Sequence, residues 1–139
     1  MRFLLSFVFL FTTAISSWAS DIQGTWFNEE KTSKIQIYKQ GDRYYGKIVW
    51  VKEVKANQPK TDVNNPDEKL RNKPLMGLVI LSNFKQSDDK VWEDGKIYDP
   101  RNGKTYSCKI TKVSDQELAI RGYIGTPMLG RTSKFTKAD

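Results

Sequence analysis

From Gly24 to the C-terminus, apolar and polar residues alternate in short runs, and each run is bounded by a turn signal. Period-two alternation marks strands with one buried face, and no helical period recurs outside a single connector. The pattern predicts eight strands, over residues 25–28, 34–39, 43–54, 75–84, 95–98, 104–113, 117–123 and 131–136. Gly41-Asp42, Asp88-Asp89, Asn102-Gly103 and Ser114-Asp115 supply tight reversals between them, because Gly, Asn and Asp tolerate left-handed backbone. Asn102-Gly103 is the strongest of these. Pro100 ends the preceding strand, and Tyr106, Cys108 and Ile110 then alternate with Thr105, Ser107, Lys109 and Thr111. Short antiparallel strands at near-regular spacing predict an all-β fold, a small eight-stranded barrel, since closure removes the exposed edges of an open sheet. A flat sandwich has the same spacing and is the structural alternative.

Residues 55–73 break the pattern with a polar stretch rich in Asn, Asp and Lys, with Pro59, Pro66 and Pro74 as breakers. Asn65 as N-cap, Pro66 at the first helical position and Asp67-Glu68 in the first turn predict a short helix to about Arg71. That helix would put Asp67 and Arg71 four residues apart on one face, as a surface pair or as part of a site. A connector of this length covers or plugs one end of a barrel.

The N-terminus has a different pattern. Met1-Arg2 precedes an apolar run from Phe3 to Ile15, and small residues stand at Ser17 and Ala19. These are the three regions of a secretory signal peptide, so the pattern predicts a leader over residues 1–19 and one domain over residues 20–139. The run is short for a transmembrane span of ~20 residues, and none is expected in the mature chain. No cysteine follows it to carry a lipid anchor. The expected destination is the periplasm or the outside of the cell.

Charge and rare residues narrow the chemistry. The chain has 23 Lys+Arg against 16 Asp+Glu, a net charge of +7, and losing Arg2 with the leader would keep it basic. Anionic lipids, cell-wall polymers and acidic proteins are compatible partners, whereas export and the scattered cations disfavour nucleic acid. Histidine is absent, which removes the commonest general base and metal ligand. Cys108 is the only cysteine, so no internal disulfide forms, and its alternating segment predicts a buried, inert thiol. The acids lack the spacing of a calcium loop, and phosphate loops and dinucleotide fingerprints are missing, so neither metal nor cofactor is expected.

The segments Asn65-Pro66-Asp67 with Leu70-Arg71, Gly95 to Pro100 with Gly103-Lys104-Tyr106, Arg121 to Gly125, and Gly130-Arg131 together resemble the bacterial domain-of-unknown-function family 2147. The resemblance runs from about Gly24 to Phe135. It implies an exported barrel of lipocalin-like architecture and brings no catalytic residues. Gly24-Thr25-Trp26 also resembles the Gly-x-Trp opening of lipocalin-type barrels, which implies that Trp26 closes one barrel end, with Arg131 as its stacked cation.

Candidate ligand contacts follow from the strands. Arg121 and Tyr123 share one strand face with Ala119, opposite Leu118 and Ile120. Turned inward with Tyr98, Tyr106 or Tyr45, Arg121 would form a cation ringed by hydroxyls, suited to a carboxylate or phosphate; turned outward, it is a surface residue. An inward Arg121 needs an acid such as Asp99 or Asp67. Asp99 itself is expected to fix the turn toward Asn102-Gly103. Val79, Leu81 and Ile110 would line the body of the site. The leading expectation is a small amphiphilic or anionic ligand of the cell envelope, with no catalytic constellation in view. A solid-cored barrel docking an envelope protein is the alternative, and cavity volume separates the two.

Overall fold

The alternating runs pair into one sheet that closes on itself. The computed structural model describes residues 6–10, 20–52 and 60–138. Its strands are β1 (Gly24–Phe27), β2 (Ser33–Gln40), β3 (Arg43–Val51), β4 (Val79–Asp88), β5 (Val91–Asp99), β6 (Lys104–Ser114), β7 (Glu117–Tyr123) and β8 (Gly130–Lys137). Each is antiparallel to the next, and β8 returns to β1 to close the barrel. Most of the expected leader lies outside the described residues, and residues 6–10 carry no regular secondary structure. Among the described residues no helix is long and apolar enough to cross a membrane.

β3 ends at Val51 rather than Val54, with residues 53 and 54 outside the described residues, and two further strands differ from the sequence pattern for identifiable reasons. β5 starts at Val91 rather than Gly95 because Glu93-Asp94-Gly95 is absorbed into the strand as a bulge. Asp94 takes φ +62°, and the β5–β6 register shifts between Trp92 and Gly95. β4 starts at Val79 rather than Leu75. The chain before it turns through Gly77 at φ +86° and is held by Gly77 N–H donating to Ile48 O.

In the connector, the expected helix is a single 3₁₀ turn, Glu68–Leu70, none of which is buried. With no apolar face to pack, nothing extends it. Asn65 forms a side-chain turn one step earlier, accepting from Asp67 N–H, and Asp67 is the N-cap, accepting from Lys69 N–H. The pair expected between Asp67 and Arg71 is replaced by Arg71 Nη1 to Glu68 Oε1 at 3.7 Å, the i,i+3 neighbour of a tighter helix. The connector is tied down by a bridge between Thr61 and Pro74 and by Asp62, which is fully buried. Its residues 53–59 lie outside the described residues.

Inward side chains divide the barrel into two halves. The end with the short β2–β3, β4–β5 and β6–β7 turns is filled by Trp26, Tyr44, Phe84, Trp92, Cys108 and Leu118, all buried. Phe84 lies over Gly95, where a methyl group would overlap its ring, so the missing side chain is what lets the aromatic layer close. Ile22 seals this end from below, fully buried, and its carbonyl accepts from Trp26 Nε1 at 2.9 Å. The segment carrying it is pinned by Ser20 N–H to Asp89 Oδ1 at 3.0 Å and by Lys112 Nζ to Asp21 O at 2.9 Å. The other end is ringed by the four remaining connections.

Candidate functional site

At the ringed end the inward positions are held by aliphatic residues and by Gly122, which fill less space than the aromatics below. A cavity of about 600 Å³ results, walled by Ile35, Ile48, Ile80, Ile97, Ile120 and Phe135. That volume lies within the ~300–1,000 Å³ of small-molecule sites, so this half of the barrel is hollow.

The mouth of the cavity is polar. On β8, Arg131, Ser133 and Phe135 follow one another at period two and all line the cavity, which puts a guanidinium at the rim, a hydroxyl below it and a ring deeper in. Arg131 stands opposite Gly122 of β7, which offers no side chain to cover it. Among the described residues Arg131 makes no ion pair.

Arg101 is the contrasting case. Its Nε and Nη2 hold the two oxygens of Asp99 at 3.0 Å each, and its Nη1 reaches Glu30 Oε1 at 3.3 Å on the β1–β2 loop across the mouth. Partial burial pushes the Asp99 carboxyl up. The hydrogen bonds from Arg101 and the charges of Arg101 and Arg131 outweigh that and hold it below the usual carboxylate range. Asp99 also accepts from Arg101 N–H at 2.9 Å, which fixes the turn into β6.

The connector is latched to this rim at two points. Tyr98 donates its hydroxyl to Asp62 Oδ1 at 2.7 Å, and Asn65 Nδ2 donates to Asp62 Oδ2 at 2.8 Å. Burial, then the Asp62 hydrogen bond and the charges of Asp62 and Asp99, push the Tyr98 phenol up to about 12. Asn64 Nδ2 donates to the carbonyls of Pro100 and Arg101 at 3.0 and 3.1 Å. Gly103, at φ +71°, lies against the Asn64 carbonyl where any side chain would collide.

Of the residues singled out in the sequence, Tyr98, Asp99, Tyr106 and Tyr123 line the cavity, whereas Asp67, Arg71 and Arg121 do not. Arg121 lies on the outer face, because Leu118 and Ile120 of the same strand are buried and take the inner one. Its guanidinium holds the β7–β8 loop through Pro127 O at 2.6 Å, Thr132 Oγ1 at 2.8 Å and Met128 O at 3.5 Å. Tyr45 also faces outward, stacked on Tyr38 at 5.9 Å, since Tyr44 takes the inner position.

The cation over Trp26 is Lys137 Nζ, 4.7 Å from the ring, and not Arg131. Register decides this, because Trp26 pairs with Lys137 across β1 and β8 while Arg131 lies six residues earlier in β8, at the mouth. Leu81 and Ile110 are buried in the core without lining the cavity, and Val79 is 41% exposed. Cys108 is buried, and desolvation pushes its thiol up to about 12. Among the described residues no group of three or more His, Cys, Asp or Glu could hold a metal ion. The mouth cation Arg131, the Arg101–Glu30 span and the Asp62 latch were missed as site features. For Arg131, the signal was its period-two spacing from Phe135.

Over residues 24–137 the chain matches the family described as "Uncharacterized protein conserved in bacteria (DUF2147)". Among solved structures the barrel is similar to HP1028 from the human pathogen Helicobacter pylori, a protein described as belonging to the lipocalin family. The TM-score is 0.76 at 22% identity, covering 86% of this chain and 84% of that one. The likeness establishes the lipocalin-like fold. None of the curated proteins matches this chain.

Proposed function

The chain belongs to the bacterial family DUF2147, and from that premise we propose that its barrel binds a small amphiphile with an anionic head without transforming it. The head, a carboxylate or a phosphate, pairs with Arg131 at the rim, and the apolar body lies among Ile35, Ile48, Ile80, Ile97, Ile120 and Phe135. One observation carries this reading: a guanidinium that makes no ion pair among the described residues stands on the inner face at the mouth of an apolar cavity of about 600 Å³. A charge-assisted bidentate pair gives Arg131 direction and specificity for such a head. Burial of the body supplies affinity at ~25 cal/mol per Å² of apolar surface, less the cost of ordering the ligand. Arg101 does not compete for the head, because Asp99 and Glu30 already occupy it. The leader-like segment Met1 to Ser20 supports export, to the periplasm or beyond the cell, where envelope lipids supply ligands of this chemistry.

The test is calorimetric titration with dodecanoate, dodecyl phosphate and uncharged dodecanol. The expected result is one saturable site that takes both anions roughly ten- to a hundredfold more tightly than the alcohol, the worth of a hydrogen bond to a charged group. Arg131→Gln should erase that preference and leave alcohol binding intact. Carboxylate against phosphate then identifies the head. An unchanged preference in Arg131→Gln, or no saturable binding of any of the three, overturns the proposal.

A further inference from the structure

The β7–β8 loop exposes three large apolar side chains, Ile124, Met128 and Leu129, at 72%, 88% and 76% of their surface. These residues do not project from a loose loop. Arg121 grips Pro127 O, Met128 O and Thr132 Oγ1 from the outer face, and Thr126 N–H to Ile124 O and Leu129 N–H to Thr126 O brace the loop from within. An apolar cluster held rigidly in water costs free energy that an unconstrained loop would avoid by folding it away, and such patches mark contact surfaces. Ile124 and Leu129 also line the cavity, so the apolar surface runs without a break from the outer lip into the barrel.

Charge around the lip selects the surface it fits. The acids of the mouth are engaged: Asp99 and Glu30 by Arg101, and Glu29 by Lys134 N–H at 3.2 Å. Two cations beside the lip, Arg131 and Lys104, make no ion pair among the described residues. Arg131 is the second residue of β8, just past the loop. Lys104 begins β6, whose pairing of Ser107 with Tyr123 carries it alongside the start of the loop. An apolar tip beside unpaired cations is complementary to an anionic bilayer, whose headgroups meet the cations and whose acyl region takes the tip.

We propose that the β7–β8 loop is a lipid-docking lip that seats the barrel mouth on an anionic membrane surface, so that an amphiphile passes between bilayer and cavity without crossing water. This goes beyond binding in the cavity and can fail while that binding stands. The test is co-sedimentation with phosphatidylcholine vesicles, with and without phosphatidylglycerol. The wild type is expected to bind the mixed vesicles and to release them as salt is raised. The triple variant Ile124→Ser, Met128→Ser, Leu129→Ser should lose at least tenfold in vesicle affinity, and the single variant Met128→Ser, outside the cavity lining, should lose severalfold while still binding dodecanoate in solution. A polarity-sensitive dye on Thr126→Cys should shift to the blue on adding mixed vesicles, and the same dye on Asp42→Cys, at the closed end, should not. Labelling is selective because Cys108 is buried. Equal vesicle binding by wild type and triple variant, no vesicle binding by the wild type, or a vesicle-free wild-type dimer that the triple variant converts to monomer would each overturn the lip. The last would assign it to a second copy of the chain.

Discussion

The two halves of this barrel are built from the same eight strands by the same alternation, yet one is packed solid and the other is hollow. At the closed end Trp26, Phe84 and Trp92 are fully buried, Tyr44 packs edge-on against Trp92 at 5.9 Å between ring centroids, Gly95 makes room for the Phe84 ring, and Ile22 seals the base. At the mouth the equivalent positions carry isoleucines, Gly122 and, at the rim, Arg131. Closure sets the diameter for both halves, so side-chain volume alone decides where the space lies. The packed half supplies stability, and the hollow half uses that stability to hold apolar walls apart.

Truncation tests the contrast with the largest effect. Phe84→Ala removes a fully buried ring from a layer with no slack and should cost about 3–5 kcal/mol, whereas Ile48→Ala, on a cavity wall, should cost only about 2 kcal/mol. Urea midpoints read both, and equal costs would mean the mouth half is as tightly packed as the base.

Adding a methyl group sharpens the same difference. Gly95→Ala drives a Cβ into the Phe84 ring and should destabilise by about 1–3 kcal/mol. Gly122→Ala meets Ile97 Cγ2 at 3.5 Å, Tyr106 Cβ at 3.6 Å and Ser107 O at 4.0 Å, ordinary contacts. It should be neutral or stabilising by up to about 1 kcal/mol through the unfolded chain. Thermal melts of the two variants should move in opposite directions or, at the least, differ clearly.

The smallest effect is in the titration of the rim. Tyr98 is raised to about 12 from an ordinary 10.0, so its neutral form is favoured by folding. The stability it contributes is whole below pH 10 and is lost as pH rises through about 12. Asp99 has the opposite sign: its lowered carboxyl contributes above the ordinary value of 3.8, and that contribution is lost as pH falls through its folded value. Tyrosinate absorbance should show a late-titrating component in the wild type that is lost in Tyr98→Phe and moves earlier in Asp62→Asn.

Strand number, turns and closure were legible in the sequence because alternation is a local signal, and Gly41, Asn102 and Gly103 mark reversals by their backbone freedom. The start of β5 was hidden because a bulge at Asp94 uses the same residues as a turn. The helix in the connector failed for a different reason. Caps at Asn65 and Asp67 satisfy a few backbone groups, but only a buried face makes a helix persist. The site was half legible. Tyr98, Asp99, Tyr106 and Tyr123 reach the cavity, but the candidate cation Arg121 faces outward and Arg131 faces in. On β7 the buried faces of Leu118 and Ile120 settle the question. On β8 period two from Phe135 points Arg131 inward, but a single apolar residue marks that face, so the signal is weak until the strands are in register.

The central claim is that the hollow half is a binding site, and native mass spectrometry tests it most directly. The full chain, residues 1–139, expressed in bacteria and purified gently, would be weighed natively and after denaturation. A reproducible excess mass of a few hundred daltons is expected in the native spectrum alone, lost in Arg131→Glu. A bare native mass from protein shown to be folded, remaining bare after incubation with dodecanoate and dodecyl phosphate, would contradict it.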